Sequence, residues 1–221
     1  MHRALLAAMA LLGTIGTASA ASPSAPVSSG DVDWSGFYAG VNGGYSRGTY
    51  NYDDGSESIG LGGLFLGGQI GFNFVLVDNV VLGVQADGDW SGQHGNFTSL
   101  PFAYTDNFRT DWTGSATAHL GIATGPLMLY GLAGVVVAHG SEDYTEFLVG
   151  SSTGSSSGTQ LGWTAGLGAE ARIDEHVGAF LEGRYTSYKS ASFPGTWTGG
   201  TWTLAGTEAD WSVRGGVNFH F

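Results

Sequence analysis

The chain has 221 residues, a formal net charge of −12, 39 glycines, no cysteine and only 12% charged side chains. The acidic balance excludes a nucleic-acid footprint, which needs a basic face, and the lack of cysteine excludes a disulfide-held exported scaffold. No Gly-X-Y period marks a collagen-like chain, and beyond the N-terminal segment no run of about 20 apolar residues marks a membrane helix.

Residues 1–20, "MHRALLAAMALLGTIGTASA", combine Arg3, an apolar run from Ala4 to Ile15 and the small-residue stretch Ala18-Ser19-Ala20. This is the layout of a secretory signal peptide, and the apolar run is too short to span a bilayer as a helix. Residues 21–33 read as a short polar linker. From there to Phe221 the chain repeats a period-two pattern, the mark of strands with two unlike faces.

The first strand is expected over 35–46 with Phe37, Ala39, Val41 and Tyr45 on its apolar face. The next run over 62–75 (Leu64, Leu66, Ile70, Phe72, Phe74) and 80–90 (Val80, Leu82, Val84, Ala86, Trp90). The fourth covers 109–123 with Trp112, Ala116, Ala118, Leu120 and Ile122. The fifth, 127–138, is nearly continuous in apolar residues; Leu127, Leu129, Ala133, Val135 and Val137 are taken as its apolar face. The sixth covers 159–173 (Leu161, Trp163, Ala165, Leu167, Ala169, Ile173) and the seventh 177–187 (Val177, Ala179, Leu181, Tyr185). The last is "DWSVRGGVNFHF", with Trp211, Val213, Val217, Phe219 and Phe221 in alternation. Connections alternate between short (76–79, 124–126, 174–176) and long (47–61, 91–108, 139–158, 188–208), and every proline after the signal falls in a linker, loop or turn. The predicted fold is an all-β, eight-stranded antiparallel up-and-down transmembrane β-barrel over residues 34–221.

A soluble barrel hides its apolar face, and a membrane barrel displays it. Aromatic placement decides. Tyr45, Trp90, Trp112, Trp163, Tyr185 and Trp211 lie on the apolar face at the long-loop ends, and Phe37, Phe74, Phe219 and Phe221 toward the other end. Two such rings are the girdles of the two membrane interfaces. Val80 to Trp90, Trp163 to Ile173 and Trp211 to Phe221 each span ten residues, matching the roughly 9–11 that a tilted strand needs to cross the hydrocarbon. The apolar stripe ending at Phe221 (Val213, Val217, Phe219, Phe221) resembles the signal read by the outer-membrane assembly machinery.

The segments "WSGFYAGVNGGY" (34–45), "LGGQIGFNF" (66–74), "VLGVQADGDW" (81–90), "LEGRYTSY" (181–188) and "VRGGVNFHF" (213–221) resemble strands of the alphaproteobacterial porin-like outer-membrane proteins, within the opacity-protein and OmpA-like eight-stranded barrel superfamily. That resemblance implies an integral outer-membrane protein of a Gram-negative bacterium. It also implies a choice of roles: structural envelope protein, small porin, surface antigen or haemin binder.

Parity places Asp87, Asp89, Arg109, Asp111, Glu170, Arg172, Glu182, Arg184 and Arg214 inside the barrel. Buried charges persist only when paired, so Arg184 and Arg214 are expected to meet Glu182 and reach across to Asp87 or Asp89. Such a network is either a static plug or a selectivity ring. Eight strands leave room for side chains and little else, which favours the plug. His94 and His139 fall at or near long loops, while His119 and His220 point inward near the inner end. They are read as solvated or lumen-filling. No metal or cofactor site is expected: "YDDGSE" lacks the ligand spacing of a calcium loop. The "GLGAEA" pattern has no following helix to make a nucleotide loop. No histidine falls on the lipid-facing stripe, as a lipid-active barrel enzyme would require, and the chain is read as a non-enzyme. Expected partners are outer-membrane lipid and lipopolysaccharide, the assembly machinery during biogenesis, and a host or surface ligand at the long loops; nucleic acid is not among them.

Overall fold

The computed structural model describes residues 32–52, 58–77, 79–99, 104–146, 153–189, 191–197 and 200–221. Its elements are β1 (Gly36–Tyr52), β2 (Ser58–Val77), β3 (Val80–Ser91), β4 (His94–Ser99), β5 (Tyr104–Thr124), β6 (Leu127–Glu146), β7 (Thr153–Arg172), β8 (Val177–Tyr188), β9 (Ala191–Trp197) and β10 (Gly200–His220). All pair antiparallel. β1 bonds to both β2 and β10, so the sheet closes into a ring of eight strands, β1-β10-β8-β7-β6-β5-β3-β2. β4 and β9 continue the lines of β3 and β8 after short breaks. Closure leaves no strand edge to demand hydrogen bonds that lipid cannot supply. At the seam Phe221 N–H donates to Phe37 O at 3.0 Å.

The apolar faces point outward. Leu64 (72%), Leu167 (74%) and Trp90 (76%) are largely exposed, while Arg184, Arg214, Glu182 and Asn218 are buried inside. This inversion defines a membrane wall. A charge near its midplane is therefore costly. Leu167→Arg should destabilise the barrel in lipid vesicles by about 2–4 kcal/mol, read from its denaturant midpoint. Ser157→Arg, outward but beyond the Trp163 girdle, should leave that midpoint unchanged.

The inner-end connections are tight turns. Gly125 takes φ 57° in the β5–β6 turn, a conformation that favours glycine. In the β7–β8 turn, Asp174 Oδ1 accepts from the backbone N–H of His176 and Val177, both at 2.8 Å, an Asx-turn.

The structure differs from the sequence reading in three places. First, the long connections are mostly strand: β1 runs to Tyr52, β2 starts at Ser58, β6 runs to Glu146 and β7 starts at Thr153. Pairing continues above the membrane, where both faces of a strand meet water and the lipid-facing stripe no longer marks it. Within the expected 139–158 connection, the serine-rich stretch from Thr153 to Gly158 pairs with β6. Second, Pro194 lies in β9, not in a loop. It is tolerated because β9 meets its second neighbour, β7, at only two positions. Third, the β5–β6 register shifts between Thr110 and Trp112. That bulge reverses parity, so Asp106, Phe108 and Thr110 point inward above it and Thr117 and His119 below.

Before β1 the chain folds under the barrel. Trp34 is 3% exposed and packs with Val81, Ala123, Met128, Tyr130 and Leu132. Its Nε1–H donates to Gly125 O at 3.1 Å. The Arg172 guanidinium lies over its ring at 5.2 Å, and Arg172 Nη2 donates to Asp33 O at 2.7 Å. An apolar cap thus forms at the inner end, built from a residue that the alternation alone leaves outside the strands.

Candidate functional site

Above the cap, polar side chains form one continuous network. Tyr130 Oη donates to Glu182 Oε1 (2.8 Å). Arg184 Nε donates to Glu182 Oε2 (2.8 Å), and its Nη1 to Asp87 Oδ1 (3.0 Å). Arg214 Nη1 lies 3.1 Å from the same Asp87 oxygen, while its Nη2 reaches Asp89 Oδ2 (2.5 Å) and Asn42 Oδ1 (3.0 Å). Asn42 Nδ2 donates to Gln69 Oε1 (2.6 Å), Gln69 Nε2 to Asn218 Oδ1 (2.7 Å), and Asn218 Nδ2 to Glu170 Oε2 (3.0 Å). Glu170 Oε1 pairs with His220 Nε2 at 2.7 Å. Ser115 Oγ donates to Asp87 Oδ2 at 2.9 Å. Every strand of the ring contributes: β1 through Asn42, β2 through Gln69, β3 through Asp87 and Asp89, β5 through Ser115, β6 through Tyr130, β7 through Glu170, β8 through Glu182 and Arg184, and β10 through Arg214.

Glycine makes space for these groups. Register places Gly44 beside Arg214, Gly67 beside Asp89 and Gly166 beside Arg184. A Cβ at any of the three would collide with the neighbouring strand. Large inward side chains thus sit over glycines on the adjoining strand.

Two predicted members fall elsewhere. Arg109 and Asp111 are not in the lumen network. The bulge turns Arg109 outward, where it is 61% exposed and bonds Asp111 Oδ1 (2.9 Å) and Ser141 Oγ (3.1 Å). Glu170 and Arg172 lie inside at the inner end, but Arg172 serves the Trp34 cap instead of pairing with an acid. Of the histidines, His119 faces Asn73 Oδ1 at 3.0 Å inside, while His139 stacks on Trp112 at the outer end. Tyr38, whose Oη donates to Gln85 Oε1 at 2.7 Å beside Asp87, and Asn42, Ser115 and Tyr130 are network members that charge-based reading passes over. Their signal is parity alone: each sits on the polar face of its strand.

The girdle residues lie on the outer wall. Trp163, Tyr185 and Trp211 form a contiguous outer cluster with centroids 5.5 and 4.9 Å apart. Phe37, Phe219 and Phe221 cluster at the inner end, with separations of 5.5 and 5.1 Å, and Phe74 packs on Phe72 at 4.7 Å. Tyr45, Trp90 and Trp112 are exposed at the outer end, as are Val213 and Val217 lower on β10.

Two small cavities lie within and beyond the outer part of the network. One of about 60 Å³ is lined by Asp87, Asp89, Arg184, Arg214, Thr164 and Tyr188; another of about 50 Å³, beyond the girdle, by Glu142, Gln160, Glu208 and Ser156. In this outer vestibule burial, with the Asp106 and Asp143 carboxylates, pushes Glu142 up to about 8. Burial and Asp210 push Glu208 up to about 8. Both acids bind protons more tightly in the folded protein than at their ordinary value of 4.5. Their contribution is therefore fully present below about pH 4.5 and is lost as pH rises toward 8. The outer hairpins should resist proteolysis better at acidic than at alkaline pH. The Glu142→Gln, Glu208→Gln double variant should flatten that profile; parallel profiles would contradict this assignment.

A closed ring with an apolar outer wall, aromatic ends and a polar interior defines an integral outer-membrane β-barrel. Residues 7–221 match the family model "Outer membrane protein beta-barrel domain", and the chain belongs to that family. It is 32% identical over 163 residues to a "22 kDa outer membrane protein" of Rhizobium leguminosarum bv. viciae, covering 72% of this chain and 67% of the relative. It is 32% identical over 186 residues to a "31 kDa outer-membrane immunogenic protein" of Brucella melitensis biotype 1, covering 74% and 76%. Among solved structures it resembles the outer membrane protease OmpT from Escherichia coli with TM-score 0.54 at 9% identity, covering 84% of this chain and 96% of that one, a likeness of fold alone. The protein is thus an outer-membrane protein of a Gram-negative bacterium.

Proposed function

We propose that the protein is a structural, surface-exposed envelope protein whose lumen is permanently plugged, with no catalytic activity. The observation that carries this is the network to which all eight ring strands contribute, from Glu182 through Arg184, Asp87, Arg214 and Asn42 to Glu170. It ties the wall to itself across the pore axis, and the Trp34 cap closes the mouth below. The extended outer hairpins support a display role, as does the word "immunogenic" in the name of the Brucella relative. A host or surface ligand would meet the protein at those hairpins, lipopolysaccharide would meet it around the wall, and the assembly machinery would read the stripe ending at Phe221.

The test is swelling of proteoliposomes in small sugars. Swelling no faster than in protein-free vesicles is expected; rapid, size-dependent swelling would overturn the plug. The second reading, a small diffusion pore, draws on these two cavities, whose linings carry more acids than arginines. It calls for conduction that favours cations.

A further inference from the structure

After the signal segment the chain holds six arginines and lysines: Arg47, Arg109, Arg172, Arg184, Lys189 and Arg214. Arg172, Arg184 and Arg214 are buried inside the barrel. The other three are exposed on the wall, and all lie just beyond the outer aromatic ring. Arg47 follows Tyr45 by two residues and pairs in register with Trp211. Arg109 lies three residues above Trp112, and Lys189 four above Tyr185. Register also joins Arg47 to Gly62, Gly62 to His94, and His94 to Arg109, so an outward row crosses four strands.

The acids of the same zone are sorted the other way. Asp106, Glu142, Glu208 and Asp210 all point inward. Among the described residues the outward exceptions there are Asp143 and Asp111. Asp111 and Ser141 orient Arg109, which stays 61% exposed, and an exposed pair of this kind is too weak to neutralise it. Nothing in strand formation requires this sorting, since both sides of the wall are wet above the girdle. It places positive charge where the wall meets lipid headgroups and turns negative charge away, in a protein of net charge −12.

We propose that Arg47, Arg109 and Lys189 form a cationic collar that binds the phosphates of outer-leaflet lipid headgroups. The collar faces sideways beside the aromatic ring, so its occupant is a phosphorylated lipid held in the membrane, not a soluble polyanion arriving from above. Arginine supplies paired donors matched to phosphate, and Trp112 stacked with His139 at 5.8 Å supplies an apolar shelf below. The inference deepens the envelope reading and rests on its outward wall, not on its plugged lumen. Its failure would leave the swelling result untouched.

The test uses the full barrel refolded in zwitterionic micelles and titrated with diphosphorylated lipid A, with binding followed by calorimetry. Saturable binding is expected, weakened roughly tenfold or more in Arg47→Gln, Arg109→Gln, Lys189→Gln. Dephosphorylated lipid A should bind wild type as weakly as that variant, and inorganic phosphate should give no heat. Arg109→Lys should restore part of the loss in Arg109→Gln. If the triple variant does not fold, the single variants carry the same test. Equal affinity of wild type and variants, or of phosphorylated and dephosphorylated lipid, would overturn the collar.

Discussion

Arg214→Ala should lower the stability of the reconstituted barrel by about 3–5 kcal/mol, one of the two largest effects of a single substitution expected here. Arg214 holds Asp87, Asp89 and Asn42 at once, and both acids are buried. Removing the guanidinium leaves two carboxylates without their shared partner, beside Glu182, which Arg184 alone then has to balance together with Asp87. Arg214→Lys should recover only part of the loss, because a single ammonium cannot reproduce a planar fork directed at several acceptors. Replacing Asp87 and Asp89 by Asn in the Arg214→Ala background should recover stability, since the buried negative charge goes with them. An unchanged denaturant midpoint in Arg214→Ala would contradict the network's structural role.

Trp34→Ala should cost a similar amount, about 3–5 kcal/mol. The side chain is buried under the barrel, and its removal opens a hole among Val81, Met128 and Tyr130. It also deprives Arg172 of the ring it covers and Gly125 O of its donor. Trp34→Phe keeps most of the packing and loses the hydrogen bond, so it should sit between alanine and wild type. A loss below about 1 kcal/mol for Trp34→Ala, measured by denaturant unfolding in vesicles, would show that the cap is dispensable.

The sequence carries the fold because lipid imposes one requirement on every strand. Ile70, Leu167 and Val217 alternate with small or polar residues regardless of neighbours, so faces and strand number follow from period two. Even β6, apolar on both sides, has its faces resolved by the exposure of Leu129 and Val135 and the burial of Tyr130 and Leu132. Above the girdle the requirement lapses. The extensions of β1, β6 and β7 continue the backbone ladder, and no lipid-facing stripe announces them.

The interior is legible only by face. Which acid meets which arginine depends on register, and register depends on glycines whose purpose shows once strands are side by side. Gly168 lies opposite Tyr130, and Gly83 opposite His119. Neither pair is close in sequence. The bulge at Thr110–Trp112 is likewise silent in the sequence, and it alone moves Arg109 from the lumen to the lipid side. Trp34 reads as the residue before a strand; only the folded chain shows it buried under the barrel.

The central claim is that paired charges close the lumen, and single-channel recording tests it most directly. Wild type refolded into a planar bilayer at neutral pH, with insertion verified, should be silent. Arg184→Ala, Arg214→Ala, which removes both cations that bridge Asp87 to its neighbours, should give brief, cation-favouring openings. Stable stepwise channels from the wild type would contradict the plug and make Asp87, Asp89, Arg184 and Arg214 the lining of a pore.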